Sequence, residues 1–335
     1  MHFNGRFVLN LAQFAAQQGA DLEKLIALSG KPAKELYKED CKLSAEEYNE
    51  VLKAAVEETN DELFGLHAGE SLNLSAAGLI VQIAQTSQTV KQALEYCCEF
   101  ANLGCSALPT LLSEEKDYFK LSLKPNPLWE KQAPISVIHT LYGYLAFTIR
   151  EFQSLTFHKQ TPKEIWLTFE RPTNLAELER VLGTTSLKFG QKENALILSK
   201  RQVEEKVVTS DYELLKVLVN HAHDKQEKMH LENGFYEVVR RSVVNLIKPH
   251  FPTVEQVAGH LNLSVRTFQR KLKNEGYSYK KLIDELRKDF AIDYLANPEL
   301  SIGDVAYLLS YADTSTFIRS FKRWTGKTPS EFRKT

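Results

Sequence analysis

Arg266, Thr267, Gln269, Arg270 and Lys273 crowd into one short segment, and Thr314, Ser315, Arg319, Lys322 and Arg323 crowd into a second one further along. Both sets combine guanidinium, amide, hydroxyl and ammonium groups, with no thiol or histidine among them to make or break bonds. Their chemistry suits double-stranded DNA. Arg and Gln can pair with base edges in a major groove wide enough to admit a helix, while Lys mostly meets phosphate.

The two sets occupy matching places in a repeat. The first copy reads VEQVAGHLNLSVRTFQRKLKNE (residues 254–275), and the second reads IGDVAYLLSYADTSTFIRSFKRWTG (residues 302–326). Val257, Ala258 and Leu261 meet Val305, Ala306 and Leu309 at an offset of 48. One extra residue in the second turn moves the offset to 49, so that Ser264 meets Asp313, Phe268 meets Phe317, Arg270 meets Arg319 and Lys273 meets Lys322. Apolar residues at i, i+3, i+4 and i+7 (Val254, Val257, Ala258, Leu261) predict a short first helix, opened by a Thr253/Gln256 capping box. Asn262 and Leu263 make a tight turn. Ser264, or Asp313, then caps a second helix by accepting an orphan backbone N–H. Phe268 and Leu272, or Phe317 and Phe321, face inward and leave the cations outside. One such pair of helices is usually just solvated scaffold. Two in the same register, each basic on its second helix, favour a reader of DNA.

What joins the copies fits that reading. Tyr279–Ala296 lacks Gly and Pro, carries Leu282, Leu286, Phe290 and Leu295 on a helical period, and is followed by Asn297-Pro298, where helices stop. At 1.5 Å per residue the rod is roughly 25 Å long. It can hold two reading helices about one duplex turn, near 34 Å, apart, and so in two adjacent major grooves. Thr328-Pro329-Ser330-Glu331 places a proline at the first helical position inside a capping box.

Residues 236–335 resemble the DNA-binding domain of the AraC/XylS family of bacterial transcription regulators. The resemblance runs through VAYLL (305–309), D-x-S-x-F-x-R-x-F-K-R-W (313–324) and G-K-T-P-x-x-F-R (326–333). It implies that the linker helix is real and that the reading helices are those named above. One departure stands out: the family usually carries Gly-Phe in the second turn, where this chain has Ser310-Tyr311. If that site needs a positive φ, Ser310 is expected to bear local strain.

The chain of 335 residues, 43% hydrophobic and 25% charged, has an ordinary globular composition and room for two or three domains. Its net charge of −1 hides a polarity: residues 237–334 hold 17 Lys/Arg against 11 Asp/Glu, which is +6, and the remainder is −7. An acidic body on a basic module suits a protein that grips DNA by one end. If the two modules neutralise on the order of 6–8 phosphates, the log-log salt slope is about −5 to −7.

No apolar run approaches the ~18 residues of a membrane span, and no basic leader with a long apolar run opens the chain. A cytoplasmic protein with no membrane partner is expected. Cys41, Cys97, Cys98 and Cys105 have no metal spacing and no disulfide framework, so reduced, mostly buried thiols are expected, with redox sensing as the sharper alternative. His221-Ala222-His223 splits its imidazoles across two helix faces, so no metal site is expected, and no cofactor. An enzyme of the DNA-repair methyl-acceptor kind would need a four-Cys zinc set or a Cys activated by His. Neither spacing is present, so no catalytic residue is expected.

Residues 1–228 read as an effector-sensing and dimerisation domain, 229–235 as a linker ending in Asn-Gly, and 236–335 as an all-α domain of two helix-turn-helix units joined by a linker helix. The first domain reads as α+β, with helices packed on a small, mostly antiparallel sheet. Helices are predicted over 7–18, 22–29, after a Ser44/Glu47 capping box, over 87–102 and over 135–152. Alternation predicts strands over 117–124 and 163–170, with 186–189 and 195–198 as a short pair.

This part resembles the arabinose-binding-type sensor domain of a subset of AraC-like regulators, over roughly residues 3–199. The resemblance is carried by Gly19-Ala-Asp-Leu22, Gly65-Leu-His-Ala-Gly69, Leu187-Lys-Phe-Gly190 and Glu193-Asn-Ala-Leu196. It implies effector sensing and dimerisation, and no sugar in particular. His139, Tyr142 and Trp166 could line a pocket, but such residues more often belong to the core, and no effector-binding residue is named. A helix over 210–228, with Leu214, Leu215 and Leu218 apolar, either packs within the sensor or forms a dimer seam. The expected whole is a sequence-specific transcription activator, controlled by a small-molecule effector of unknown class or by dimerisation, working as a homodimer with RNA polymerase. The alternative is a constitutive architectural DNA-binding protein, which would leave the long N-terminal body superfluous.

Overall fold

The computed structural model describes the chain except residues 73–77, 159–160, 173, 233, 248–249, 298–299, 312 and 334–335; of 230–232 it describes the backbone alone. The chain divides into two units, Met1–Lys225 and Gln226–Thr335.

The first unit opens with β1 (His2–Asn4), α1 (Gly5–Gln17), α2 (Leu22–Leu28), α3 (Ala33–Leu36), β2 (Lys42–Ser44) and α4 (Ala45–Thr59). β1 and β2 pair antiparallel. The Ser44/Glu47 capping box closes reciprocally, with the Glu47 carboxylate accepting the Ser44 N–H at 2.6 Å and Ser44 Oγ accepting the Glu47 N–H at 3.2 Å. Then follow α5 (Phe64–Ser71), α6 (Leu79–Thr86), α7 (Val90–Gly104), β3 (Thr110–Glu114), β4 (Tyr118–Leu123), α8 (Pro127–Gln132), α9 (Pro134–Thr156), β5 (Glu164–Trp166), α10 (Leu175–Leu182), β6 (Leu187–Lys188), β7 (Asn194–Ser199), α11 (Lys200–Glu204) and α12 (Tyr212–Glu232), within which the first unit ends at Lys225. The larger sheet has the order β3-β4-β7-β5-β6. Phe119, Leu121 and Leu123 of β4 are buried, and so is β7 from Asn194 to Leu198, as a central strand should be.

Three expectations need correction. The segments 186–189 and 195–198 do form β6 and β7, but they are not partners: β5 lies between them, antiparallel to β7 and parallel to β6. The strand expected over 163–170 ends at Trp166, because the Thr168 N–H leaves the ladder for the Asn194 side chain at 2.9 Å. The linker expected over 229–235 is helical through Glu232, since nothing in Met229–Glu232 breaks a helix. Its Asn233 lies outside the described residues, and the next helix starts at Phe235.

The signature Gly65 to Gly69 is a helix crossing. A Cβ on Gly65 would sit 2.1 Å from the His139 carbonyl oxygen, and one on Gly69 would sit 2.3 Å from that of Gly143. Only glycine lets the backbones of α5 and α9 approach so closely. The Gly65 N–H donates to His139 Nδ1 at 3.1 Å, which suits an imidazole kept neutral because burial pushes its pKa down to about 4.

The second unit contains α13 (Phe235–Leu246), α14 (Val254–His260), α15 (Val265–Asn274), α16 (Tyr279–Ala296), α17 (Ile302–Leu308), α18 (Thr314–Thr325) and α19 (Pro329–Phe332). It holds two small cores. Val239, Val243, Val257, Ala258, Phe268 and Leu272 gather on Leu282, Ile283 and Leu286 of α16. Val305, Ala306, Leu309, Phe317 and Phe321 gather on Ala291 and Leu295, further along the same helix. Full burial of a phenylalanine such as Phe268 or Phe317 stabilises by about 2–3 kcal/mol. The proline expected to stop α16, Pro298, lies outside the described residues. Orphan carbonyls at the end of α16 are met by Arg333, whose Nε donates to Leu295 O at 3.1 Å.

Candidate nucleic-acid interface

The repeat extends to individual backbone hydrogen bonds. The Leu263 N–H returns to Ala258 O at 2.8 Å, and the Tyr311 N–H returns to Ala306 O at 3.0 Å. Between them the chain turns left-handed at one residue, Asn262 (φ 53) in the first copy and Ser310 (φ 60) in the second. Asn tolerates that region through local hydrogen bonding; Ser does so less readily. The strain expected at Ser310 is therefore present. The next helices are capped alike: Ser264 Oγ accepts the Thr267 N–H at 3.2 Å, and Asp313 Oδ1 accepts the Thr316 N–H at 2.7 Å. Hydrogen bonds from the Thr316 hydroxyl and amide hold the Asp313 carboxyl below its usual range, so an anion sits where the helix dipole favours one.

Phe268 and Leu272 point α15 into its core, and Phe317 and Phe321 do the same for α18. The opposite faces are left to solvent. Arg266, Gln269, Arg270 and Lys273 are exposed on α15, as are Thr314, Ser315, Arg319, Lys322 and Arg323 on α18. Among the described residues no ion pair holds Arg266, Arg270 or Lys273. Two of the expected groups are otherwise engaged. Thr267 is half-buried, with its hydroxyl accepting from Ser264 Oγ at 3.0 Å, so it serves the cap. Arg323 reaches back to Asp284 of α16, Nη2 to Oδ2 at 3.4 Å.

One residue went unnamed in the sequence. Thr316 donates its hydroxyl proton to Asp313 Oδ2 at 2.7 Å and accepts from Arg319 Nη2 at 3.2 Å. That relay aims the Arg319 guanidinium along the first turn of α18. The signal was available, because Thr316 meets Thr267 at the offset of 49.

Residues 19–207 match the family model described as the arabinose-binding domain of AraC transcription regulators, N-terminal, and residues 257–335 match a helix-turn-helix domain. The chain belongs to the AraC family of transcription regulators. It is a DNA-binding transcription regulator with an arabinose-binding-type sensor domain. The AraC-family chain is 25% identical over 274 residues to the ornithine utilization regulator of Pseudomonas aeruginosa, covering 80% of this chain and 78% of that protein. It is 32% identical over 133 residues to the regulator VirS of Mycobacterium tuberculosis, over 37% of this chain and 39% of that one. Among solved structures it resembles the transcriptional regulator CdpR from Pseudomonas aeruginosa with a TM-score of 0.45 and 21% identity, over 93% of this chain and 96% of that one.

In the sensor-type domain of this AraC-family regulator each of the three pocket candidates is already engaged within the fold. His139 is taken up by the helix crossing, Tyr142 is 2% exposed with its ring edge-on to Phe169, and Trp166 Nε1 donates to Glu164 at 2.7 Å. The four cysteines are free thiols. Burial pushes Cys97 up to about 12 and Cys105 up to about 11, which removes the thiolate that reactivity needs. Among the described residues no helix is long and apolar enough to cross a membrane.

Proposed function

We propose that this AraC-family regulator reads two adjacent major grooves on one face of a duplex. α15 sets Arg266, Gln269 and Arg270 against base edges of one groove, and α18 sets Thr314, Ser315 and Arg319 against the next. Lys273, Lys322 and Arg323 meet phosphates, Arg323 sharing its charge with Asp284. Thr267 and Thr316 act by holding the first turns. One observation carries the reading: both cation sets face outward on matched helices that pack on successive halves of α16. Its 18 residues span roughly 25 Å, the scale of one duplex turn. Footprinting on a duplex selected by the protein from a randomised pool tests this. Two protected segments one turn apart are expected, with Arg270→Ala loosening one and Arg319→Ala the other. Footprints unchanged in both variants overturn the assignment.

The same reading makes the N-terminal unit the controller, through a small-molecule effector and through a homodimer, with activation by way of RNA polymerase as the outcome. Similarity to a regulator named for ornithine utilization puts amino acids first in a thermal-shift screen, ahead of sugars and fatty acids. A binder at 100 times its Kd adds ~2.7 kcal/mol. Support for the dimer comes from α12. Leu215 and Ala222 pack on Ile83 and Phe100, while Leu214 and Val217 stay 46% and 62% exposed. Sedimentation at micromolar concentration tests it; only monomer there counts against the seam.

A further inference from the structure

We propose that Arg287 and Ser310 are positioning residues for DNA binding, forming a clasp that locks the second reading helix to the first independently of the covalent path through α16. The inference rests on the two-groove reading above. Arg287 projects from the middle of α16, and its guanidinium lies 5.1 Å from the ring centroid of Phe251 and 5.0 Å from that of Tyr311. Phe251 enters the first copy just before α14, and Tyr311 belongs to the turn of the second. The cation is therefore sandwiched between the two copies. Its Nε is buried and has no hydrogen-bond partner among the described residues, so the two aromatic faces are what holds the cation.

Ser310 closes the same junction from the other side. Its Oγ accepts the Phe251 N–H at a long 3.4 Å and shares a hydrogen bond with His250 Nδ1 at 3.2 Å. The segment it holds is tied to α16 twice more, by the Tyr279 hydroxyl donating to Pro252 O at 2.6 Å and by the edge-on contact of Phe251 with Phe290. Ser310 thus accepts left-handed strain that glycine would avoid, and in return supplies a hydroxyl that glycine lacks. A bond confined to its own turn would offer no reason for serine there. One that crosses between the copies does.

A clasp of this kind changes how well two helices bind together, and leaves how well each binds alone untouched. The test uses the full chain and a duplex selected by the wild-type protein from a randomised pool, together with that duplex cut into its two halves and assayed at low salt. Arg287→Met keeps an unbranched side chain but loses the planar cation; Ser310→Gly relieves the turn and loses the hydroxyl. Each is expected to weaken binding to the intact duplex about five- to tenfold through a lower effective concentration of the second helix. Binding to each half should stay within about twofold, and the Tm of Ser310→Gly should be equal or higher. An unchanged intact-to-half ratio in both variants overturns the clasp, as does an equal loss on halves and intact duplex. Protection of a single segment by the wild-type protein defeats the two-groove reading itself, before either variant is made.

Discussion

In the C-terminal unit each short motif faces two ways. Phe268 and Phe317 fill cores while Arg270 and Arg319, two residues on, stand in solvent. In the N-terminal unit the motif Gly65 to Gly69 faces almost wholly inward: Gly65, Leu66, Ala68 and Gly69 are buried, and His67 is locked between two carboxylates. The first kind of signature builds a scaffold and presents a function on it. The second builds a scaffold only. An outward signature therefore leaves side chains free for a partner to meet, as proposed here for DNA, whereas an inward one says nothing of which atoms meet an effector.

The strongest way to break that contrast is to crowd the inward signature. Gly69→Val sets a branched side chain where even a Cβ lies 2.3 Å from a backbone oxygen, so α5 and α9 must separate. A loss of about 3 kcal/mol or more is expected, at the upper end of overpacking costs. Urea unfolding of the full chain should show the transition of the first unit moving to lower denaturant, with that of Gln226–Thr335 in place. A Gly69→Val protein with the wild-type midpoint would show that the signature is not a close crossing.

On the outward signature the expected losses are in binding. Arg270→Ala and Arg319→Ala should each cost about 1–3 kcal/mol and relax preference at one base position. Thr316→Val sharpens the comparison between copies. It strips the relay from Asp313 to Arg319 without touching DNA chemistry itself, and should cost about 1 kcal/mol, the worth of one hydrogen bond. Selection from a randomised pool with each variant checks both. Loss of preference in the segment read by α15 on changing Thr316 would refute the division of labour.

Smaller still is the effect expected at His67, which tests whether the inward signature is electrostatic as well as steric. Its Nδ1 lies 2.7 Å from Asp61 and its Nε2 lies 3.0 Å from Glu177. Two ring nitrogens that both face carboxylates both donate, which requires the imidazolium. Burial works against that charge, but the hydrogen bonds and charges of Asp61 and Glu177 outweigh it and raise the pKa. Glu177 is in turn held down at about 2, chiefly by Arg180 and then by His67. A raised folded-state pKa means stability fully present below the unfolded value of about 6.5 and lost as pH rises through the folded value. The pair is partly exposed, so the change is below about 1 kcal/mol. The Tm of the wild type should fall between pH 6 and 9 more than that of His67→Gln. Parallel curves would leave the motif with a steric role alone.

How far the sequence foretold all this depended on which residues carried the information. The double repeat was legible because its helices are local, each announced by a cap three residues before a bonded N–H, and because the same device occurs twice. Thr253, Ser264 and Asp313 cap where their types suggested. The order β3-β4-β7-β5-β6 was not legible, because pairing between strands as distant as Ser122 and Ala195 leaves no trace in alternation. The role of His139 in the helix crossing was hidden because its partner, the Gly65 N–H, is 74 residues away. Arg323 looked like a free cation for the same reason, with Asp284 lying 39 residues back on α16.

That last pair yields the finest test of the outward signature. Lys322 and Arg323 are neighbours on α18 and both exposed, yet Arg323 already has Asp284 at 3.4 Å. A phosphate contact by Lys322 releases a counterion from DNA, whereas a contact by Arg323 must also compete with a carboxylate that the protein itself supplies. Lys322→Ala should therefore flatten the log-log salt slope by about 0.9 and weaken all sequences alike. Arg323→Ala should flatten it by less, and Asp284→Asn should steepen it by freeing Arg323. Equal slopes for Lys322→Ala and Arg323→Ala would mean that the Asp284 pair dissolves on DNA, and that the outer face of α18 acts as one undivided patch of charge.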